Sequence, residues 1–367
     1  MNMYSFMELK DPGLKAGVSP NLMKNTFLFL TSILISISSA AATPIAPPTL
    51  HKGDTIAIVA PSSSPDEDPT FLARGIKELQ QKGYKVKVSA NLTKKHGYLA
   101  GTDEERAKSI MEAWRDPQVK AIWCYRGGYG VSRILDRLDY QVMKDNPKIL
   151  IGMSDITALH AAIQKKAGLI TFLGPNTNAI LGKEDGKSTL FNEKELWSMI
   201  SRNSFPKEGI LFRNPQSFPN RIQQSWALKP GRAQGRLAGG NLCLVVALIG
   251  TPWELDLKGK ILVLEEIDEE PYRIDRMLSQ LRHSGHLDHL AGVILCSWTG
   301  CFSRKPDKSL TLEQVFNDYF GKAPYPVLVG FPSGHIAEQT TLPLNSLVEL
   351  DSTAKTLRLL ESPVNIL

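Results

Sequence analysis

A chain of 367 residues with 42% hydrophobic and 22% charged residues can bury a full core and is long for one domain, so two domains are the default reading. The formal charge of +6, from 43 Lys+Arg against 37 Asp+Glu, is spread along the chain. Without basic runs or interleaved aromatics it excludes a nucleic-acid binder and leaves a mild bias towards carboxylate-bearing ligands.

At the N-terminus, Met23-Lys24-Asn25 leads into the apolar run Thr26 to Ile37 and then Ser38-Ser39-Ala40-Ala41-Ala42. A positive residue, a short apolar segment and an Ala-x-Ala end predict a secretory signal peptide over residues 1–42, cleaved after Ala42, with Met23 as an alternative start. A retained membrane anchor competes with this, but the run is short of the ~20 residues a span needs, and no later segment could cross a bilayer.

From Thr55 onward β-branched runs alternate with amphipathic stretches, the pattern of a parallel sheet with crossover helices. Strands are predicted at 55–60, 85–90, 120–125, 149–153 and 170–173, with helices at 70–82, 103–114, 131–143 and 155–165. Residues 50–182 thus read as an N-terminal α/β domain. Over 183–236 periodicity fades and Gly, Pro, Asn and Ser accumulate, which reads as an interdomain connection with room for a small hairpin. Residues 237–367 form the second domain, with helices at 241–249, 272–282 and 312–319, strands at 260–264, 292–297 and 326–329, and a hairpin over 346–360 turning at 351–354.

Lys148 to His160 is a buried-type strand that stops at Gly152-Met153-Ser154 and restarts at once as a helix. A serine on such a turn is lifted to the carboxyl edge of the sheet, where the following N–H groups and the helix dipole point at an oxyanion. Ser followed by Asp is equally a common helix N-cap, and the fragment alone does not separate the two. Arg126-Gly127-Gly128-Tyr129-Gly130 follows another strand and should share that edge. Its glycines let backbone approach a ligand, and Arg126 suits a carboxylate. A phosphate loop is the rival, but the spacing misses G-x-G-x-x-G. Gly186-Lys187-Ser188-Thr189 resembles the end of a P-loop but has Leu181 where the first glycine belongs.

In the second half a hydrophobic strand ends on Glu265-Glu266-Ile267-Asp268-Glu269-Glu270. Glu265, directly after the apolar run, is best placed to be buried and hold an imidazole; the others read as solvated helix-start charges. His335, in Gly330-Phe331-Pro332-Ser333-Gly334-His335, is the candidate base, although a lone loop histidine is more often incidental. His283, His286 and His289 could be proposed as a metal site, but Gly285 breaks the helix between them. Cys124, Cys243, Cys296 and Cys301 lack metal-ligand spacing and read as buried free thiols, with a disulfide possible in an oxidising compartment. Ser154, Glu265 and His335 stand in one of the orders serine hydrolases use, in which a neutral histidine takes the serine's proton and the acid fixes the tautomer.

These residues resemble the L,D-carboxypeptidases of bacterial cell-wall recycling, a family that includes the microcin C self-immunity peptidases. Gly53 to Ser62, Arg126-Gly127-Gly128-Tyr129-Gly130, Gly152 to Thr157, Gly239-Gly240-Asn241-Leu242, Leu264-Glu265 with Pro271-Tyr272-Arg273, and Gly334-His335 carry the resemblance over nearly all of residues 50–365. It implies an α/β fold with a flavodoxin-like N-terminal sheet and a mixed, barrel-like C-terminal domain. It implies Ser154, Glu265 and His335 as the triad and the N–H groups of Asp155 and Gly128 as the oxyanion hole, with Arg126, Gly127 and Tyr129 towards the substrate. The implied reaction releases terminal D-alanine from a murein tetrapeptide, with no metal or organic cofactor, and a homodimer is suggested. Many members act in the cytoplasm, whereas the leader here points to the periplasm or cell surface. Two other readings stay open. One is a microcin-immunity amidase acting on an aminoacyl-nucleotide analogue, with Trp197, Phe205 and Trp226 as an aromatic platform; the other is a non-catalytic periplasmic binding protein.

Overall fold

The structure, a computed structural model, describes residues 43–65, 69–180, 190–212 and 225–366. The expected leader and the run Gly186 to Thr189 lie outside these residues. The first half alternates strand and helix: β1 (Thr55–Val59), α1 (Pro69–Gln81), β2 (Lys85–Val88), α2 (Asp103–Arg115), β3 (Val119–Cys124), α3 (Tyr140–Asp145), β4 (Ile149–Gly152), α4 (Thr157–Ala167), β5 (Thr171–Leu173) and α5 (Thr177–Ile180). β1 and β4 are buried at every position, because helices cover both faces of a parallel sheet. β2, at the edge, is largely exposed and carries lysines at alternate positions, which discourages edge pairing. The N-terminus of α2 is fixed by a capping box in which Thr102 and Glu105 bond each other's backbone N–H.

The parallel order β2-β1-β3-β4-β5 is that of flavodoxin-like sheets, and it places a topological switch point between β1 and β3. Ligands of such sheets sit outside the carboxyl ends of the strands at that point. The loops after β1 and β3, residues 60–65 and 125–131, occupy it.

One predicted helix is broken. Over 131–143 the chain makes two 3₁₀ turns, Val131–Arg133 and Leu135–Arg137, before α3. Leu138 is extended and the Asp139 side chain accepts from Val142 N, so Asp139 restarts the helix as an N-cap. The apolar spacing looked helical because Val131, Leu135 and Met143 are all buried.

The stretch 183–236 also holds more than a connection: α6 (Leu190–Ile200), β6 (Ile210–Phe212), β7 (Trp226–Lys229) and the start of β8 (Arg232–Asn241). β6 and β7 do not pair as a hairpin; they lie at opposite edges of an eight-stranded sheet. The chain continues through α7 (Leu242–Ala247), β9 (Lys260–Ile267), α8 (Pro271–His283), β10 (Gly292–Thr299), α9 (Leu312–Phe320), β11 (Val327–Val329), β12 (Leu342–Leu344), β13 (Leu347–Asp351) and β14 (Thr356–Leu359), and of these strands all but β12, which joins the first sheet, complete the second. The order is β6-β14-β13-β8-β9-β10-β11-β7, with β8 to β11 parallel and the remaining pairs antiparallel. The C-terminal hairpin β13-β14 forms at the expected place. β12 pairs antiparallel with β5, Leu342 opposite Leu173, and its Pro343 is tolerated because β12 is an edge strand.

Candidate active site

Ser154 stands at φ +65°, one of four non-glycine residues with positive φ among those described. Left-handed backbone disfavours an L-residue and persists where surrounding structure imposes it, often at functional sites. Here β4 runs into extended Met153, the chain reverses at Ser154, and a 3₁₀ turn, Ser154–Ile156, feeds α4. An N-capping serine would be extended and accept an N–H two or three residues on. Ser154 does neither, and the residues at the cap positions, Met153 and Ile156, make no side-chain cap either. The sharp turn, not the plain cap, is what the chain adopts.

The turn is gripped from below by His160, fully buried on α4. Its Nε2 lies 2.9 Å from the Gly152 carbonyl, which can only accept, so Nε2 carries the hydrogen and Nδ1 accepts from the Thr171 hydroxyl at 2.9 Å. Burial holds this imidazole neutral, with its pKa pulled down to about 4.

Above Ser154 lies the glycine loop. A Cβ on Gly127 would fall 3.0 Å from Ser154 Oγ, and one on Gly128, at φ +112°, would strike the Ser63 side chain at 2.2 Å. The loop is held in place by two charged groups that sequence reasoning missed. The Asp155 carboxylate, 0% exposed, accepts from Ser62 Oγ at 2.5 Å and from Val131 N at 2.9 Å, tying the serine turn to the ends of both flanking loops. Burial pushes its pKa up, against the hydrogen bonds from Ser62 and Val131. Arg106, also 0% exposed, donates from Nη1 to Pro61 O at 2.6 Å and Gly130 O at 2.7 Å. Its Nη2 pairs with Asp103, which it shares with Arg133. The available signal was Arg106 at an apolar-face position of α2.

Across the seam, Glu265 on β9 is fully buried and its Oε2 lies 2.6 Å from His335 Nδ1. Gly334 is required beside them, since a Cβ there would meet Ser297 Oγ at 2.4 Å and Glu265 Oε2 at 2.8 Å. Burial lowers the His335 pKa, but the hydrogen bond it donates to Glu265 and the charges of Glu265, Glu266 and Asp268 outweigh it, so the net shift is upward from about 6.5. Glu266 corrects the expectation of a solvated charge. It is 3% exposed, accepts from Asn241 Nδ2 at 2.7 Å and Cys243 N at 2.9 Å, and its pKa is raised by burial. The strand runs on to Ile267, so successive glutamates face opposite sides of β9, each with its own partner.

The two halves meet through Asn241. Its N–H donates to Thr157 Oγ1 at 3.0 Å, three positions past Ser154, and in the sheet it is the register partner of Glu265. No hydrogen bond joins Ser154 to His335 among the described residues.

Arg126 and Tyr129 lie in the glycine loop itself, where Arg126 donates to Ser64 O at 3.1 Å and the Tyr129 ring is exposed. Other candidates fall elsewhere. His286 bonds Glu254 and Ser284, and no three His, Cys, Asp or Glu among the described residues are placed to hold a metal ion. The cysteines are unpaired; Cys124, Cys296 and Cys301 are buried, but Cys243, expected buried, is exposed at the start of α7, on its outer side. Trp197 stacks on Tyr84 at 5.1 Å and meets Trp123 edge-on, while Phe205 and Trp226 pack on the core, so these aromatics serve packing and not a nucleobase platform. Among the described residues no helix is long and apolar enough to cross a membrane.

An imidazole held by a buried carboxylate, and a serine on a strained turn, are groups that hydrolases use for acid–base and nucleophilic work. Within that class the chain belongs to the LD-carboxypeptidase family: residues 56–174 match its N-terminal domain and 234–350 its C-terminal domain. It is 39% identical over 311 residues to a probable murein peptide carboxypeptidase of Bacillus subtilis, covering 84% of this chain and 92% of the relative. Its fold is similar to the muramoyltetrapeptide carboxypeptidase of Oxalobacter formigenes, with TM-score 0.70, 31% identity and coverage of 83% of this chain and 97% of that one. It is also similar to the microcin C7 self-immunity protein MccF, with TM-score 0.79, 27% identity and coverage of 88% and 100%.

Proposed function

We propose that the protein is a serine L,D-carboxypeptidase that releases the terminal D-alanine of murein tetrapeptides in peptidoglycan turnover. The observation that carries this is His335 bonded through Nδ1 to buried Glu265, which fixes the tautomer and leaves Nε2 for the hydroxyl of Ser154. Neutral His335 takes the proton of Ser154 as Oγ attacks the carbonyl of the penultimate residue. The oxyanion is met by the N–H groups of Asp155, at the start of a helical turn where such groups lack intrahelical partners, and of Gly128. His335 passes its proton to the amine of the departing D-alanine, and water then cleaves the acyl-serine by the reverse sequence. Arg126 heads that loop, donates to Ser64 O, and suits a substrate carboxylate.

The names of the carboxypeptidase relatives support the murein substrate, the likeness to MccF keeps the aminoacyl-nucleotide reading as the alternative, and the core packing of Trp197, Phe205 and Trp226 counts against their serving it as a platform. A binding protein has no use for a strained serine or a buried carboxylate on histidine. The leader supports export with cleavage after Ala42; recovery of the uncleaved leader on protein from the cytosol would count against that. Residues 43–367 incubated with murein tetrapeptide should release D-alanine, the all-L diastereomer should be spared, and Ser154→Ala should abolish release. Absence of release from either peptide would remove the carboxypeptidase reading.

A further inference from the structure

Two tyrosines stand beside this site with no part in the reaction above. Tyr98 is 61% exposed and Tyr129 47%; Tyr272 and Phe302 are also open among the described residues, but only Tyr98 and Tyr129 pair with each other. They form a pair, with ring centroids 5.8 Å apart and planes tilted by 58°. Their backbone is not loose. The segment Ser62 to Ser64 bonds residues 98–100 on one side, through Ser64 N to Tyr98 O and Ala100 N to Ser62 O, both at 3.0 Å. On the other side the Tyr129 N–H donates to Ser63 Oγ at 3.0 Å and the Ser63 N–H donates to Gly127 O. The loop after β1 therefore holds both rings side by side at the switch point of the sheet, one residue beyond Gly128.

We propose that Tyr98 and Tyr129 form a shelf for the amino-sugar ring that carries the murein stem, so that the substrate is the glycan-linked tetrapeptide. This rests on the carboxypeptidase reading and adds a subsite to it. The reach agrees: three residues, one of them linked through its side-chain carboxyl, and a lactyl ether separate the scissile carbonyl from the sugar, at least about 10 Å. Tyr129 begins one Cα spacing, about 3.8 Å, from Gly128, to which the length of a tyrosine side chain is added. The shape agrees as well. Rings in contact at a steep tilt leave no parallel slot for a flat base, but they offer an apolar face and two phenolic edges to a puckered ring with C–H faces and hydroxyls.

The test compares kcat/KM for disaccharide-tetrapeptide and bare tetrapeptide. The native protein should favour the disaccharide form about tenfold, and Tyr98→Ala should bring the ratio of the two substrates to near one. Tyr98→Leu keeps an apolar contact without the flat face and should also lower the ratio, which separates lost stacking from lost packing. Equal losses on both substrates, or a native enzyme that cleaves both at the same kcat/KM, would overturn the shelf while leaving the carboxypeptidase intact. A native enzyme that cleaves neither would instead remove the parent reading.

Discussion

Gly127 carries no positive φ, so replacing it with alanine adds one methyl group and no backbone strain, and the consequence is local and calculable. The new Cβ would lie 2.8 Å from Ser154 Cβ, 3.0 Å from Ser154 Oγ and 3.3 Å from Met153 O. Carbon atoms rest comfortably at roughly 3.5–4.0 Å, so about 1 Å must be recovered. Ser154 cannot retreat easily, because its left-handed turn is fixed by Gly152 and His160 beneath and by Asp155 beside it. The glycine loop therefore withdraws and takes the Gly128 N–H with it. Losing one oxyanion donor costs about 10²–10³-fold in kcat, and a displacement of about 1 Å costs on the order of 10²-fold. Gly127→Ala should thus lower D-alanine release from murein tetrapeptide by about 10²–10³-fold, while overpacking costs at most about 1–3 kcal/mol of stability. Release measured by mass, beside a thermal melt, decides it. A folded Gly127→Ala enzyme within threefold of the parent would show that this loop does not form the oxyanion site.

The rate should rise with pH as His335 loses its proton, with a midpoint above its ordinary value of about 6.5, because only the neutral imidazole acts as base. In Glu265→Gln the carboxylate's pull is gone and burial remains, so the midpoint should fall as the plateau collapses; a pH–rate profile whose midpoint stays put would refute the pairing as its cause. Asp155→Ala strips the Ser62 hydroxyl and Val131 N–H of a buried partner and should destabilise by about 1–3 kcal/mol for each group left unpaired. Denaturant titration showing a loss under about 0.5 kcal/mol would mean that water satisfies them.

The elements of the first sheet were legible because a parallel strand buried on both faces is an unbroken apolar run, as in Thr55–Val59 and Ile149–Gly152. The catalytic candidates were legible for a related reason, since each follows the end of such a run. β8 was not. Its sequence Arg232–Asn241 carries three glycines that weaken any strand signal. Two of them are demanded by close approach, since a Cβ on Gly239 would meet Val263 O at 2.1 Å and one on Gly240 would meet Thr157 Oγ1 at 2.5 Å. Nor could Glu266 be read as buried, because partners such as Asn241 and the Cys243 N–H are supplied by tertiary structure. Leu342–Leu344 is too short, and its proline too discouraging, to announce a strand without the edge of β5 to receive it.

That strand changes what the boundary between the halves means. The loop bearing His335 leaves β11 in one sheet and arrives at β12 in the other, so this histidine is strung between them like the rung of a ladder. A fragment ending near residue 182 would lose not only the histidine but the cover of its own last strand, leaving Thr171, Phe172 and Leu173 as an open edge inviting another chain. Division at the midpoint of this chain would therefore separate pieces that complete one another.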